Sequence, residues 1–241
     1  MKRITFAFIT LMATCLTSCD DGLIYPETVQ STEGKTVKVE GVINGYDSWS
    51  SNYRLSLAGF ENTDDEYATI TKTISSSDIV DGKLSIELSG LGGEISIVRF
   101  CILDRLRRHI ITFKEADITG AADIVTIDVN NMDVSMFNTI QQSFLSTTCA
   151  NCHGASNRIA AGLDLTEGKA YQAMVGIDSK KVDGKKIVAP NDARNSVLHM
   201  VLNQESVEGI GMNHFDLVSE KNAQSILPLI DSWINNGAQK E

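Results

Sequence analysis

Between residues 37 and 131 apolar side chains recur at every second position. Val37, Val39 and Val42 share this pattern with Lys38 and Glu40 between them. Tyr53, Leu55 and Leu57 alternate with Arg54 and Ser56. Ile70 and Ile74 lie in a Thr-rich run, and Leu84, Ile86 and Leu88 alternate with Ser85 and Glu87. Ile95 and Ile97 lead into a more continuous apolar run ending at Leu103. Ile110-Ile111-Thr112-Phe113 follows, then Val125, Ile127 and Val129. Asn44-Gly45, Asp81-Gly82, Gly90 with Gly92-Gly93, and Gly120 separate the runs as turn signals. A period of two is that of a pleated strand, whose successive Cβ atoms point to opposite faces. Seven short strands with regular turns predict an N-terminal all-β, antiparallel sandwich of immunoglobulin-like type over residues 37–131.

Near Asn130-Asn131 the period lengthens to that of a helix. Asp133 or Ser135 can cap a helix whose Phe137, Ile140, Phe144 and Leu145 fall on one face. A second helix carries Ala170, Tyr171, Met174 and Val175 inward, and a third carries Val197, Leu198, Val201 and Leu202. A last helix from about Ser219 buries Ile226, Leu227, Ile230, Trp233 and Ile234 before an Asn236-Gly237 C-cap. Pro228 inside that pattern predicts a kink or a late helix start. Residues 178–187 are basic and polar and read as a solvated loop. The expectation is a C-terminal all-α domain over residues 132–241, with a core separate from that of the sandwich.

One stretch of the helical half narrows the chemistry. Cys149-Ala150-Asn151-Cys152-His153 is a C-x-x-C-H run, the attachment signature of c-type haem. Two thiols on one turn can each add to a haem vinyl group, and the adjacent imidazole becomes an axial ligand of the iron. With 5 Cys and 4 His among 241 residues, chance supplies such a run about 0.002 times per chain. A structural zinc site needs four ligands, and no second C-x-x-C or H-x-x-x-H run completes one. A thioredoxin-like dithiol belongs after a strand in a βαβ setting, which the pattern lacks.

The remaining cysteines fit an exported protein. Lys2 and Arg3 precede a short apolar stretch, Ile4 to Met12, in the manner of a secretion signal. Leu16-Thr17-Ser18-Cys19 resembles a bacterial lipobox. That resemblance implies cleavage after residue 18 and lipid on Cys19, with residues 19–36 a polar tether. Cys15 leaves with the signal, so Cys101 alone is left over, inside an apolar run where a free thiol is ordinary core material. The net charge is −10, and removal of Lys2 and Arg3 takes it to −12. Such a balance argues against nucleic acid as a partner. Attachment to a membrane would come from acyl chains and not from charge.

A haem iron held by His153 has a second face. Met174, Met200, Met212, His199 and His214 are the candidates for it. Met174 and Met200 sit at apolar helical spacing, and His199 lies on a helix where it reads as solvent-facing. Met212 stands in a loop, Glu208-Gly209-Ile210-Gly211-Met212-Asn213-His214, whose glycines permit close backbone approach. Met212 is the leading candidate and His214 the alternative.

Residues 137–238 resemble the small class I-like c-type cytochrome domain of exported bacterial proteins named for planctomycetes. The matching pieces are Phe144-Leu145 with Cys149-Ala150-Asn151-Cys152-His153-Gly154, Gly162-Leu163-Asp164-Leu165, and Val188-Ala189-Pro190 with Ser196-Val197-Leu198. Met212 and Trp233-Ile234-Asn235-Asn236-Gly237-Ala238 complete the set. The resemblance implies a cytochrome c-like fold for residues 132–241 and Met212 as the distal ligand. Asn213-His214 stand where the family has prolines. The lipobox, the acidic residues after Cys19 and the strands look like Bacteroidetes lipoproteins. In those proteins such acidic residues often accompany export to the cell surface.

The resulting expectation is a cell-envelope lipoprotein, at the outer membrane or cell surface in preference to the inner membrane. It would transfer single electrons through one covalent haem c, as a carrier more than as an enzyme. The redox partner would present a basic docking patch to the acidic chain. The alternative is a surface binding or sensing module in which the sandwich takes the ligand and the haem is accessory. The sandwich sequence itself shows no catalytic constellation.

Overall fold

Pairing of the period-two segments builds the larger part of the molecule. The computed structural model describes residues 34–154, 159–218 and 220–240. The signal, Cys19 and nearly all of the tether lie outside the described residues. Strands β1 (Lys35–Asn44), β2 (Tyr53–Phe60), β3 (Ile70–Thr73), β4 (Ile79–Val80), β5 (Lys83–Leu91), β6 (Ile97–Asp104), β7 (His109–Asp117) and β8 (Ile124–Asp133) form two four-stranded sheets. Their orders are β4-β5-β1-β8 and β3-β2-β6-β7. Along β5 the alternation is kept: Leu84, Ile86, Leu88 and Leu91 are buried, while Lys83, Ser85 and Glu87 are exposed. β1 keeps phase at Val37 and Val39, then shifts. Its register with β8 slips between Glu40 and Val42, so Ile43 is the next core residue and Val42 is only half-buried.

The continuous apolar run of β6 also has a physical cause. β2 and β6 are the central strands of their sheet, and both of their faces are covered. Leu55, Leu57, Val98, Phe100 and Ile102 face the sandwich core. Phe60, Ala68, Ile97, Cys101 and Leu103 form a second cluster on the other side. Arg99 closes that cluster: its guanidinium stacks 4.6 Å from the Phe60 ring centroid and donates to the Thr63 carbonyl and to Glu115.

The expected fold class needs correction in both halves. The sandwich is not the antiparallel immunoglobulin-like one, because its first and last strands, β1 and β8, run parallel side by side. The other neighbour of β1 is β5, and β2 pairs with β3 and β6 in the opposite sheet. The C-terminal part is not an all-α domain but a small helical appendage on a mostly β molecule. It contains α1 (Met136–Ile140), a π-helix (Gln141–Cys149), α2 (Ala150–His153), α3 (Ala170–Met174), α4 (Val197–Asn203) and α5 (Glu220–Asn235). Between α3 and α4 the chain turns repeatedly and includes a short 3-10 helix (Ala193–Asn195), with isolated bridges Val175–Val188, Asp178–Lys186 and Lys186–Ser196. Most of these helices are too short to stand alone. Their apolar side chains join the sandwich core in one continuous cluster, and residues 32–241 form a single compact unit.

The junction shows how. Ser135 caps α1 directly after β8 and so turns the strand into a helix. Trp49 reaches across to donate from Nε1 to the Val134 carbonyl at 2.7 Å, which gives this loop aromatic a structural role. Phe137 of α1 packs 5.1 Å from the Tyr171 ring and 5.3 Å from the Trp233 ring. α5 runs through Pro228 and does not start after it. Proline cannot satisfy the carbonyl four residues back, and that carbonyl, of Gln224, accepts instead from Arg108 Nη2 at 2.6 Å. At the helix end Ala238 N–H bonds the Trp233 carbonyl and Gly237 N–H the Ile234 carbonyl, a Schellman cap with Gly237 left-handed at φ 89°. The Tyr171 hydroxyl donates to the Ala238 carbonyl, which ties α3 to this cap.

Because the core is shared, Trp233→Ala should destabilise the whole of it by about 3–5 kcal/mol. In denaturant titrations of the variant, far-ultraviolet circular dichroism and tryptophan fluorescence should shift together to a lower midpoint. Two separated transitions would show that the helices and sandwich do not share stability.

Candidate functional site

The C-x-x-C-H residues sit where the helical appendage changes its winding. Over Gln141–Cys149 the helix widens to π form, and Ala150 N–H bonds the Leu145 carbonyl five residues back. Hydroxyl groups contribute to the loosening: Ser143 Oγ donates to the Thr139 carbonyl and Thr147 Oγ1 to the Ser143 carbonyl. The wide turn buries Phe144 and Leu145 against the core and passes Cys149 into α2. Cys149 and His153 are half-buried, and Cys152 is exposed.

All three line one side of a cavity of about 530 Å³, a size within the range of cofactor sites. Its apolar lining includes Phe144, Leu163, Leu165, Met174, Leu198, Val201 and Leu202. Met212 and His214 line the same cavity, from the loop ahead of α5. Gly209 lets that loop pass close to the 178–187 segment, since a Cβ there would collide with the Lys181 carbonyl, and its φ of 84° disfavours any side chain.

The imidazoles are oriented from behind. His153 Nδ1 donates to the Ala160 carbonyl at 3.0 Å, since a carbonyl can only accept. The remaining nitrogen, Nε2, then carries the lone pair, the form in which histidine binds a metal. The His153 carbonyl in turn accepts from Leu165 N–H at 2.6 Å, which pins the returning 160–165 segment to α2. That segment is stiffened by Asp164, which accepts from the Thr166 backbone and hydroxyl and pairs with Lys169 at 2.8 Å. These contacts hold the Asp164 carboxyl down at about 2, the side-chain hydrogen bond from Lys169 being the largest cause. Because the folded-state value is depressed, this brace is complete above the ordinary carboxylate range and lost as pH falls through about 2.

The other sequence candidates are distributed unevenly. Met174 is fully buried and lines the cavity. Met212 is 49% exposed at its rim. His199 does not face solvent freely. Its Nδ1 lies 2.7 Å from Asp231 Oδ1, between α4 and α5. Met200 is half-buried and does not line the cavity. Cys101 lies in the second cluster of the sandwich. Three contributors escaped sequence reading: the Ala160 carbonyl, and Lys180 and Lys181, which line the cavity although their segment reads as a solvated loop.

Among the described residues no three His, Cys, Asp or Glu side chains converge as a metal-ion cage. A haem iron asks for less, because the porphyrin supplies four ligands and the protein one or two. The residues present fit that group: Cys149, Cys152 and His153, whose Nε2 has no partner among the described residues, line one apolar cavity. The thiols fit a redox dithiol poorly. Burial pushes the Cys149 thiol up to about 12, and the neighbouring Cys152 adds to the rise. A catalytic dithiol needs the opposite shift.

In protein prepared without attached haem, Cys152 should therefore alkylate readily with iodoacetamide at pH 8 and Cys149 slowly. Thiolate at Cys149 grows about tenfold per pH unit until its pKa of about 12 is approached. Peptide-resolved labelling at pH 8, 9 and 10 measures this. Equal rates at pH 8 would contradict the buried placement of Cys149.

Comparison with known proteins finds no matching family model, no matching curated protein and no matching solved structure.

Proposed function

We propose that Cys149, Cys152 and His153 hold one haem c covalently, and that the protein is a single-electron carrier of the cell envelope. The observation that carries this reading is that Cys149, Cys152 and His153, with His153 Nδ1 engaged by Ala160, line one apolar cavity. Bound there, the haem supplies the one-electron chemistry of its iron. The thiols fix its position, the Ala160 carbonyl fixes the His153 tautomer, and the apolar walls restrict water. Burial and axial ligation are the protein's means of setting the potential.

Lipid on Cys19 would tether the folded part to a membrane, at the outer membrane or cell surface in this reading. Among the described residues no helix is long and apolar enough to cross one. The acidic balance, −10 over the chain, would draw a redox partner through a basic docking patch. The sandwich supplies the rigid body on which the haem-binding segment is mounted.

The test is haem retention through a denaturing gel, after expression with the haem-attachment machinery. The protein should keep a haem-stained band, and Cys149→Ser/Cys152→Ser should lose it completely. Staining that survives in the double variant, or is missing from the unsubstituted protein, would overturn the proposal.

A further inference from the structure

His214 engages the same kind of partner as His153. Its Nδ1 donates to a backbone carbonyl, that of Met212, at 3.0 Å, so its Nε2 also carries the lone pair. The two rings face the same cavity with their centroids 6.2 Å apart and their planes 24° from parallel. Both rings therefore stand within reach of one group bound in the cavity. Met212 is placed differently. Its side chain is half exposed, and its contribution to the pair is the backbone oxygen that holds the His214 ring. His199 is occupied by Asp231.

We infer that His214 is the second axial ligand, so that the site is a His153–His214 pair with Met212 as its positioning residue. This rests on the haem reading above and refines it. A bis-imidazole site has consequences that a His–Met site lacks. Methionine ligation raises the potential of a c-type haem, so the carrier operates at lower potential than the sequence resemblance implies. With both axial positions filled by nitrogen, a small gas finds no vacant coordination position.

The experiment uses the full chain with haem attached, in four forms: unsubstituted, His214→Ala, His214→Met and Met212→Leu. Covalent haem on a denaturing gel and far-ultraviolet circular dichroism establish that each is loaded and folded. The expected results are the following. The oxidised unsubstituted protein lacks the far-red absorption band of methionine ligation, and its reduced form does not take up carbon monoxide. His214→Ala opens the site, shown by carbon monoxide binding. His214→Met restores six-coordination, gains the far-red band and raises the potential. Met212→Leu leaves the site closed to carbon monoxide. A far-red band in the unsubstituted protein that Met212→Leu abolishes would overturn the inference while leaving the haem reading intact. So would a His214→Ala protein with an unchanged spectrum. Absence of covalent haem from every form would remove both.

Discussion

The apolar seam where Phe137 meets Tyr171 and Trp233 ties the helical part of the molecule together. Most of the helices beyond β8 are short, and short helices in water owe their stability to tertiary packing. The seam supplies it. It packs α1 against α3 and α5, and α1 continues into the π-helix that delivers Cys149. On its other side, the α5 cap holds Tyr171 through the Ala238 carbonyl, and α3 carries Met174 to the lining of the cavity. The C-x-x-C-H run is thus carried on a continuous helical segment, Met136–His153, that enters directly from β8.

The site combines fixed polar contacts with an apolar interior. Both imidazoles on the cavity are held by backbone carbonyls, Ala160 for His153 and Met212 for His214, so ring orientation does not depend on mobile side chains. The surrounding apolar residues lower the local dielectric and restrict water, as the proposed haem would require. Lys180 and Lys181 bring positive charge to the cavity of an otherwise acidic chain. The local charge there is therefore opposite to the net charge that would guide a partner from a distance.

The strands were legible because burial on one face leaves a period of two, as in β5. Their partners were not, since nothing local to β1 announces that β8, some ninety residues on, lies parallel beside it. The shift at Gly41 that moves the core face from Val42 to Ile43 was equally hidden, because a bulge is a property of the pair of strands. In the helical half the apolar residues were found, but not the fold class. Phe137, Ile140 and Trp233 show the same spacing whether they pack on one another or on a sandwich. Pro228 suggested a break that Arg108 makes unnecessary by taking up the Gln224 carbonyl. At the site, Cys149, Cys152 and His153 stood out because the motif is local. Ala160 did not, since a backbone oxygen has no sequence signal. The relation of His153 to His214 spans sixty residues and needed the fold.

The proposed electron-carrier role depends on a covalent bond between haem and the two thiols. Mass spectrometry of the protein matured with the attachment machinery tests it most directly. The peptide containing Cys149 and Cys152 should carry the added mass of one haem, with neither thiol free to react. Recovery of that peptide unmodified, with both thiols open to alkylation, would contradict it.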